Sequence, residues 1–353
     1  MKGWHIKHII FVLVSSPAVV WAGLTYDLDK DCDVDGLDLQ TWASGYHADL
    51  EDLLSEVAAE FGTVGCCSEP IGIDAVVDGF PNWEERALLV FTNMARMAPI
   101  EYRDAYMTSY VFPAGGILNS YPPVPPVRWN KDLNRGARFH AEDMAYNCEV
   151  LQHDSCDGTI WYQRICSFYP RCPCSLGENV AYGYLTPWTV LNAFLCDRYG
   201  SSCAPDGSGL DGHRANIMGA AYKEIGTGYA RSSYAKYWVQ DFAGCLLGQQ
   251  PPIVAAAHAF PDEGITSFFL NYYDETGAAP RDVSLVLNGR KYPLRLDIGA
   301  ASAGTFRADF KTVSDCQSYY FQVTDGNGLC YRYPGAGAFQ TYGEGDCLVD
   351  YAP

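Results

Sequence analysis

Apolar positions along this chain change rhythm twice. Leu50, Leu53, Leu54, Val57 and Phe61 recur at helical spacing, predicting a helix over 39–61 that Gly62 ends. Asn82 with Glu85 three residues on has the form of a capping box, so a helix should run from there to about Met97. Proline-rich residues 112–127 break the pattern and predict a surface loop. A second helix is expected over 131–147, with Leu133, Ala137, Ala141, Met144 and Cys148 on its buried face. Thr186 as cap and Pro187 at the first helical position open a third, turning Trp188, Leu191 and Leu195 inward. Strands are expected over 224–230 and 237–242. Beyond residue 259 every signal is a strand signal. Ser284–Leu287 meets an Asn288-Gly289 turn, and Tyr319–Val323 turns at 325–328 into Leu329–Tyr333.

The stretches between these patterns suggest boundaries. Lys2 and Lys7 precede the apolar run Ile9–Val20, and Val20-Trp21-Ala22 offers cleavage after Ala22. This predicts a secretory signal peptide over 1–22, because the run is too short to span a bilayer. Residues 63–82 are rich in Gly, Pro and Asp, and 248–259 combine Pro251-Pro252 with an alanine run; both are predicted linkers. The expected order is a loop-helix segment over 24–62, a mixed helix-and-strand domain over 83–247, and a β-sandwich over 260–353. The fold class is α+β.

Hydrophobic residues make up 48% of the 353, enough for ordinary cores, so global disorder is excluded. The formal charge of −18 argues against nucleic acid or an anionic membrane surface as partner. Fourteen cysteines behind a secretory signal imply disulfides. Eight lie between Cys148 and Cys245 and should pair mostly among themselves. Cys32, Cys66 and Cys67 form an odd group, as do Cys316, Cys330 and Cys347. A bridge between the two groups, or one thiol left over in each, is therefore expected.

Asp27, Asp29, Asp31, Asp33 and Asp35 alternate strictly, with Asp38 just beyond. Counting from Asp27 places oxygens at positions 1, 3, 5, 9 and 12 of a calcium loop and Val34 at the apolar position 8. Counting from Asp31 meets the glycine at position 6 but puts Trp42 at position 12, so the first frame is preferred. The loop resembles one calcium loop of a dockerin, with Asp38 for the bidentate glutamate and Cys32 for the usual glycine. A solvated acidic run is the alternative, weakened by the alternation and by Val34.

Four residues carry the central chemistry. His153 follows Cys148-Glu149-Val150-Leu151-Gln152, Glu178 lies in Gly177-Glu178-Asn179, and Asp197 ends Phe194-Leu195-Cys196-Asp197. His213 opens into Arg214-Ala215-Asn216-Ile217-Met218. Two imidazoles and two carboxylates suit a borderline metal or general acid/base work. In this order, with Asn93-Met94-Ala95-Arg96, Arg128–Leu133 and Tyr237–Phe242, they resemble the CAP superfamily of cysteine-rich secretory, antigen 5 and pathogenesis-related 1 proteins, in its bacterial form. The resemblance covers about 83–245. It implies a three-layer α-β-α sandwich, with His153, Glu178, Asp197 and His213 around one concave site suited to zinc. Asp197 takes the place of the family's second glutamate, one methylene shorter.

No His-Glu-x-x-His, Gly-x-Ser-x-Gly, dinucleotide fingerprint or phosphate loop occurs. Three functions fit: a secreted protein binding an extracellular protein, lipid or glycan; a metal- or Glu178-assisted hydrolase; and a structural or adhesion component anchored through the calcium loop. The resemblance favours the first and leaves catalysis undecided. Tyrosines of the C-terminal strands suit packing or sugar stacking, with packing preferred.

Overall fold

The computed structural model describes residues 70–246 and 250–353, and Pro70–Pro353 form one compact unit. The predicted signal peptide, the calcium loop of Asp27–Asp38 and the helix over 39–61 lie outside the described residues. In chain order, β1 (Ile71–Gly72) precedes α1 (Trp83–Met97), α2 (Pro99–Tyr106), β2 (Arg128–Trp129) and α3 (Lys131–Asp143). Next come α4 (Trp161–Phe168), β3 (Leu176–Tyr182), α5 (Pro187–Cys196), β4 (Arg198–Tyr199), β5 (Ser202–Cys203) and α6 (Gly212–Ile217). Then follow β6 (Glu224–Arg231), β7 (Lys236–Ala243), β8 (Ile253–Ala259), β9 (Ile265–Tyr273), β10 (Asp282–Leu287) and β11 (Arg290–Pro293). The chain ends with β12 (Arg295–Ala300), β13 (Ala303–Lys311), β14 (Ser318–Thr324), β15 (Cys330–Tyr333), β16 (Ala338–Gln340) and β17 (Tyr351–Ala352).

The central sheet runs β2-β6-β7-β3. On one face, α3 sets Ala137, Ala141 and the following Met144 and Ala145 against Val180, Ala230, Tyr237 and Val239. On the other, α1 and α5 pack Leu88, Phe91, Leu191 and Phe194 into a core with Ile225, Trp238 and Phe242. Helix, sheet and helix thus form three layers. The close approach of α3 explains two glycines of β6: a Cβ at Gly226 or Gly228 would overlap the backbone of Leu133 or Ala137. The predicted helix over 131–147 ends its α-helical part at Asp143. Met144–Cys148 continue as a wider π turn, stopped by Glu149 in the left-handed region at φ 53°.

Two further sheets follow. One runs β12-β13-β9-β8; the other builds on β1-β15-β14-β10-β11, with β16 and β17 attached. Phe268, Leu270 and Tyr272 of the first meet Leu285, Tyr319, Phe321 and Val323 of the second in one core. The Asn288-Gly289 turn joins β10 to β11 as the sequence predicts.

The linker expected over 248–259 is corrected by β8, in which every residue is buried. Ala255, Ala257 and Ala259 face α1, while Ile253 and Ala256 join the core between the two sheets. A register shift between Ile253 and Ala255 puts these last two on the same face. Alanine carries little strand signal, which hid the element, but small side chains are what a strand beneath a close-packed helix requires. The expected linker over 63–82 likewise holds β1, paired in parallel with β15, and the buried Ala75. Consequently α1 lies between two sheets, and of its residues only Glu84 escapes burial. Such all-round burial marks a core helix rather than a surface one.

Among the described residues, four disulfides are formed: Cys148–Cys156, Cys166–Cys172, Cys196–Cys203 and Cys316–Cys347.

Candidate functional site

Glu178 enters the site from β3, almost completely buried. One carboxylate oxygen accepts from His153 Nδ1 at 2.8 Å, and the other takes an ion pair from Arg164 of α4. Arg164 also donates to the His153 carbonyl at 2.7 Å, so one buried guanidinium positions both members of the pair. A carboxylate only accepts, so Nδ1 of His153 carries the proton and Nε2 is left outward. The hydrogen bond to Glu178 is the chief reason the His153 pKa is raised.

Asp197 and His213 repeat the arrangement. Asp197 caps α5 in the left-handed conformation at φ 45°, which aspartate tolerates better than most residues. One oxygen accepts from His213 Nδ1, and the other accepts from the Arg214 backbone N–H at 3.0 Å. Phe194 packs on the His213 ring, centroids 5.1 Å apart. Arg214, fully buried, donates to the carbonyls of Leu195 (2.6 Å), Cys196 (3.1 Å) and Ala204 (2.7 Å) and pairs with Asp206 at 2.6 Å. It therefore clamps α6 to the end of α5.

Amides join the two pairs. Asn216 Nδ2 of α6 donates to the Glu178 carbonyl at 3.1 Å and to Asn179 Oδ1 at 2.9 Å. Asn179 Nδ2 donates to the His213 carbonyl at 3.2 Å and to Gln240 Oε1 at 3.1 Å, and Gln240 donates to Thr92 of α1 at 2.8 Å. The helix bearing His213 is thereby tied to the strand bearing Glu178, and both to the core helix. Opposite Glu178 on β7 stands Asp241, wholly buried, with no donor reaching either carboxyl oxygen. Burial first, and the Glu178 charge next, push its pKa well above the usual range, which favours its protonated form.

A cleft of about 370 Å³ opens beside the second pair. Its walls are mostly apolar, from Leu151, Val180, Tyr182, Tyr184, Phe194 and Leu210, and its charged or polar members are Asp197, Arg198 and His213. His153 and Glu178 lie outside that lining. Sequence reasoning named the four central residues but missed Arg164, Asp241 and the joining role of Asn216. Arg164 sits on a helix that the sequence did not predict, in a cysteine-flanked stretch. Asp241 and Asn216 lay within quoted motifs, yet only their burial reveals a role.

The donor set bears on the zinc expectation. Both oxygens of each carboxylate already accept from neighbours, and among the described residues no three His, Cys, Asp or Glu side chains are gathered to hold a metal. The groups suited to a divalent ion are the two Nε2 atoms, with the carboxylates orienting the rings from behind.

Residues 93–242 match the sequence profile of CAP, the cysteine-rich secretory protein family, so this segment carries a CAP domain. No curated protein matches the chain. Among solved structures, an extracellular protein containing an SCP domain from Bacillus anthracis str. Ames shares 19% identity at a TM-score of 0.27, over 43% of this chain and 40% of that one. An outer surface protein from Borrelia burgdorferi shares 19% identity at a TM-score of 0.27, over 34% and 78%. Venom allergen-like protein 4 of Schistosoma mansoni shares 19% identity at 0.30, over 48% and 89%. The chain thus spans less than half the length of the first of these. No helix among the described residues is long and apolar enough to cross a membrane.

Proposed function

We propose that this chain is a secreted binding protein with an apolar cleft at His213 and two carboxylate-held imidazoles, His153 and His213, whose Nε2 atoms would take a divalent cation. The observation that carries the reading is the duplicated pairing, His153 on Glu178 and His213 on Asp197, each fixing Nδ1–H inward. A neutral imidazole so fixed presents its Nε2 lone pair outward, as in carboxylate–histidine–zinc arrangements. Bound zinc would supply a Lewis-acidic centre with positions left for a ligand's own oxygen or nitrogen. Leu151, Tyr182 and Leu210 at the cleft, all substantially exposed, offer the apolar surface that a protein, lipid or glycan partner would cover.

Zinc titration calorimetry on the full chain tests this. His153→Ala and His213→Ala should each abolish binding, and Asp197→Asn should weaken it about 10–100-fold by loosening the His213 ring. Affinity should fall as pH drops through the histidine range near ~6.5. The loss should begin on the alkaline side of that range, because Glu178 holds the His153 pKa up. Unchanged zinc affinity in both alanine variants would end the metal reading and leave an apolar binding cleft. Calcium at Asp27, Asp29, Asp31, Asp33, Asp35 and Asp38 belongs to the same proposal. Elemental analysis of the secreted chain before and after chelation separates the two metals.

A further inference from the structure

Cys174 and Cys245 stand apart from the four disulfides. Cys174 lies two residues before β3, and Cys245 two residues after β7. These strands pair antiparallel, with Leu176 opposite Ala243. The ladder continues one rung further, since the Gly244 N–H donates to the Ser175 carbonyl at 2.8 Å. Ser175 and Gly244 are therefore a hydrogen-bonded pair. The next rung sets Cys174 against Cys245 at a non-hydrogen-bonded position, where facing Cα atoms lie ~4.5 Å apart. That separation falls inside the range a disulfide spans, about 4.4–6.8 Å.

Their surroundings agree. Both are half-buried and pack against one apolar cluster with Leu133, Ile165, Tyr169 and Ala243. Cys174 is also the largest influence raising the Cys245 thiol pKa, through a side-chain hydrogen bond. The neighbouring Cys166 and Cys172 are already joined to each other, so neither competes.

We propose that Cys174 and Cys245 form a cross-strand disulfide that staples the last rung of the central sheet. A thiolate of the pair attacks a small disulfide oxidant, and the second thiol then displaces it. One S–S bond forms in the protein, one breaks in the oxidant, and two electrons and two protons leave with the resulting dithiol. The closed loop of about 70 residues contains Glu178, Asp197 and His213, and a loop of that length lies where a crosslink restrains the unfolded chain strongly. This assignment is independent of whether the cleft binds metal.

Peptide mapping of full-length protein, made in an oxidising compartment and kept free of reductant, tests it. The expected result is a Cys174–Cys245 linked peptide, with neither residue alkylated before reduction. Cys174→Ser should raise the count at Cys245 from no alkylatable thiol to one, leaving Cys148–Cys156, Cys166–Cys172 and Cys196–Cys203 intact. Alkylation of both residues in the unreduced parent would overturn the assignment, as would a link from Cys245 to any other cysteine.

Discussion

Glu178 receives three neighbours that act on it differently. Arg164 neutralises it, His153 draws a ring into line with it, and the buried Asp241 opposite feels its charge. Asp241 reverses the usual carboxylate behaviour, because its folded pKa lies above its unfolded value. A group raised in this way contributes stability that is complete below the unfolded pKa, near ~4, and is lost as pH rises through the folded value. Asp241→Asn removes the titration. The variant's thermal midpoint should therefore gain on the parent's as pH rises from 4 to 7. Parallel curves would show that Asp241 is not held protonated.

At the scale of elements, the tightest fit is α3 on β6. Its depth depends on two missing side chains, at Gly226 and Gly228. Gly228→Ala should force the helix outward and lower stability by about 1–3 kcal/mol, read as a reduced denaturant midpoint at constant slope. A variant as stable as the parent would mean that the helix shifts freely. The same contact shows what sequence reading reaches. Leu133, Ala137 and Ala141 announced α3 by spacing, and Asn82 with Glu85 announced α1, whose capping box is present in both directions. The four central residues were legible as a set of side-chain types in order. Their division into two imidazole–carboxylate pairs was not, because it depends on Arg164 and the Arg214 backbone arriving from segments whose positions no local pattern encodes. Nor was β8 legible, since its alanines reflect the helix above them rather than strand propensity.

Across the whole molecule, α1 links the CAP layers to the C-terminal sheets, and His258 of β8 sits at that junction. Its Nε2 donates to the Tyr342 carbonyl at 2.6 Å, its Nδ1 accepts from the Tyr319 hydroxyl at 2.7 Å, and its ring stacks on Trp83 of α1 at 5.4 Å. Burial lowers its pKa to about 3. Between that value and the ordinary histidine range near ~6.5, the unfolded chain binds a proton that the folded one refuses, so stability falls as pH falls. His258→Gln should flatten that acid-side decline in thermal midpoints between pH 6.5 and 4. A decline as steep as the parent's would place the acid sensitivity elsewhere.

The burial of α1 on both sides also bears on how such a chain can be recombined. A CAP segment cut at residue 246 would present Phe91 stripped of Phe269 and of the alanines of β8, an apolar face suited to no solvent. The C-terminal sheets alone would lose the same cover. Here the domain is not a cassette that can be transplanted by itself, because its first helix is the common property of two halves and must be inherited with both.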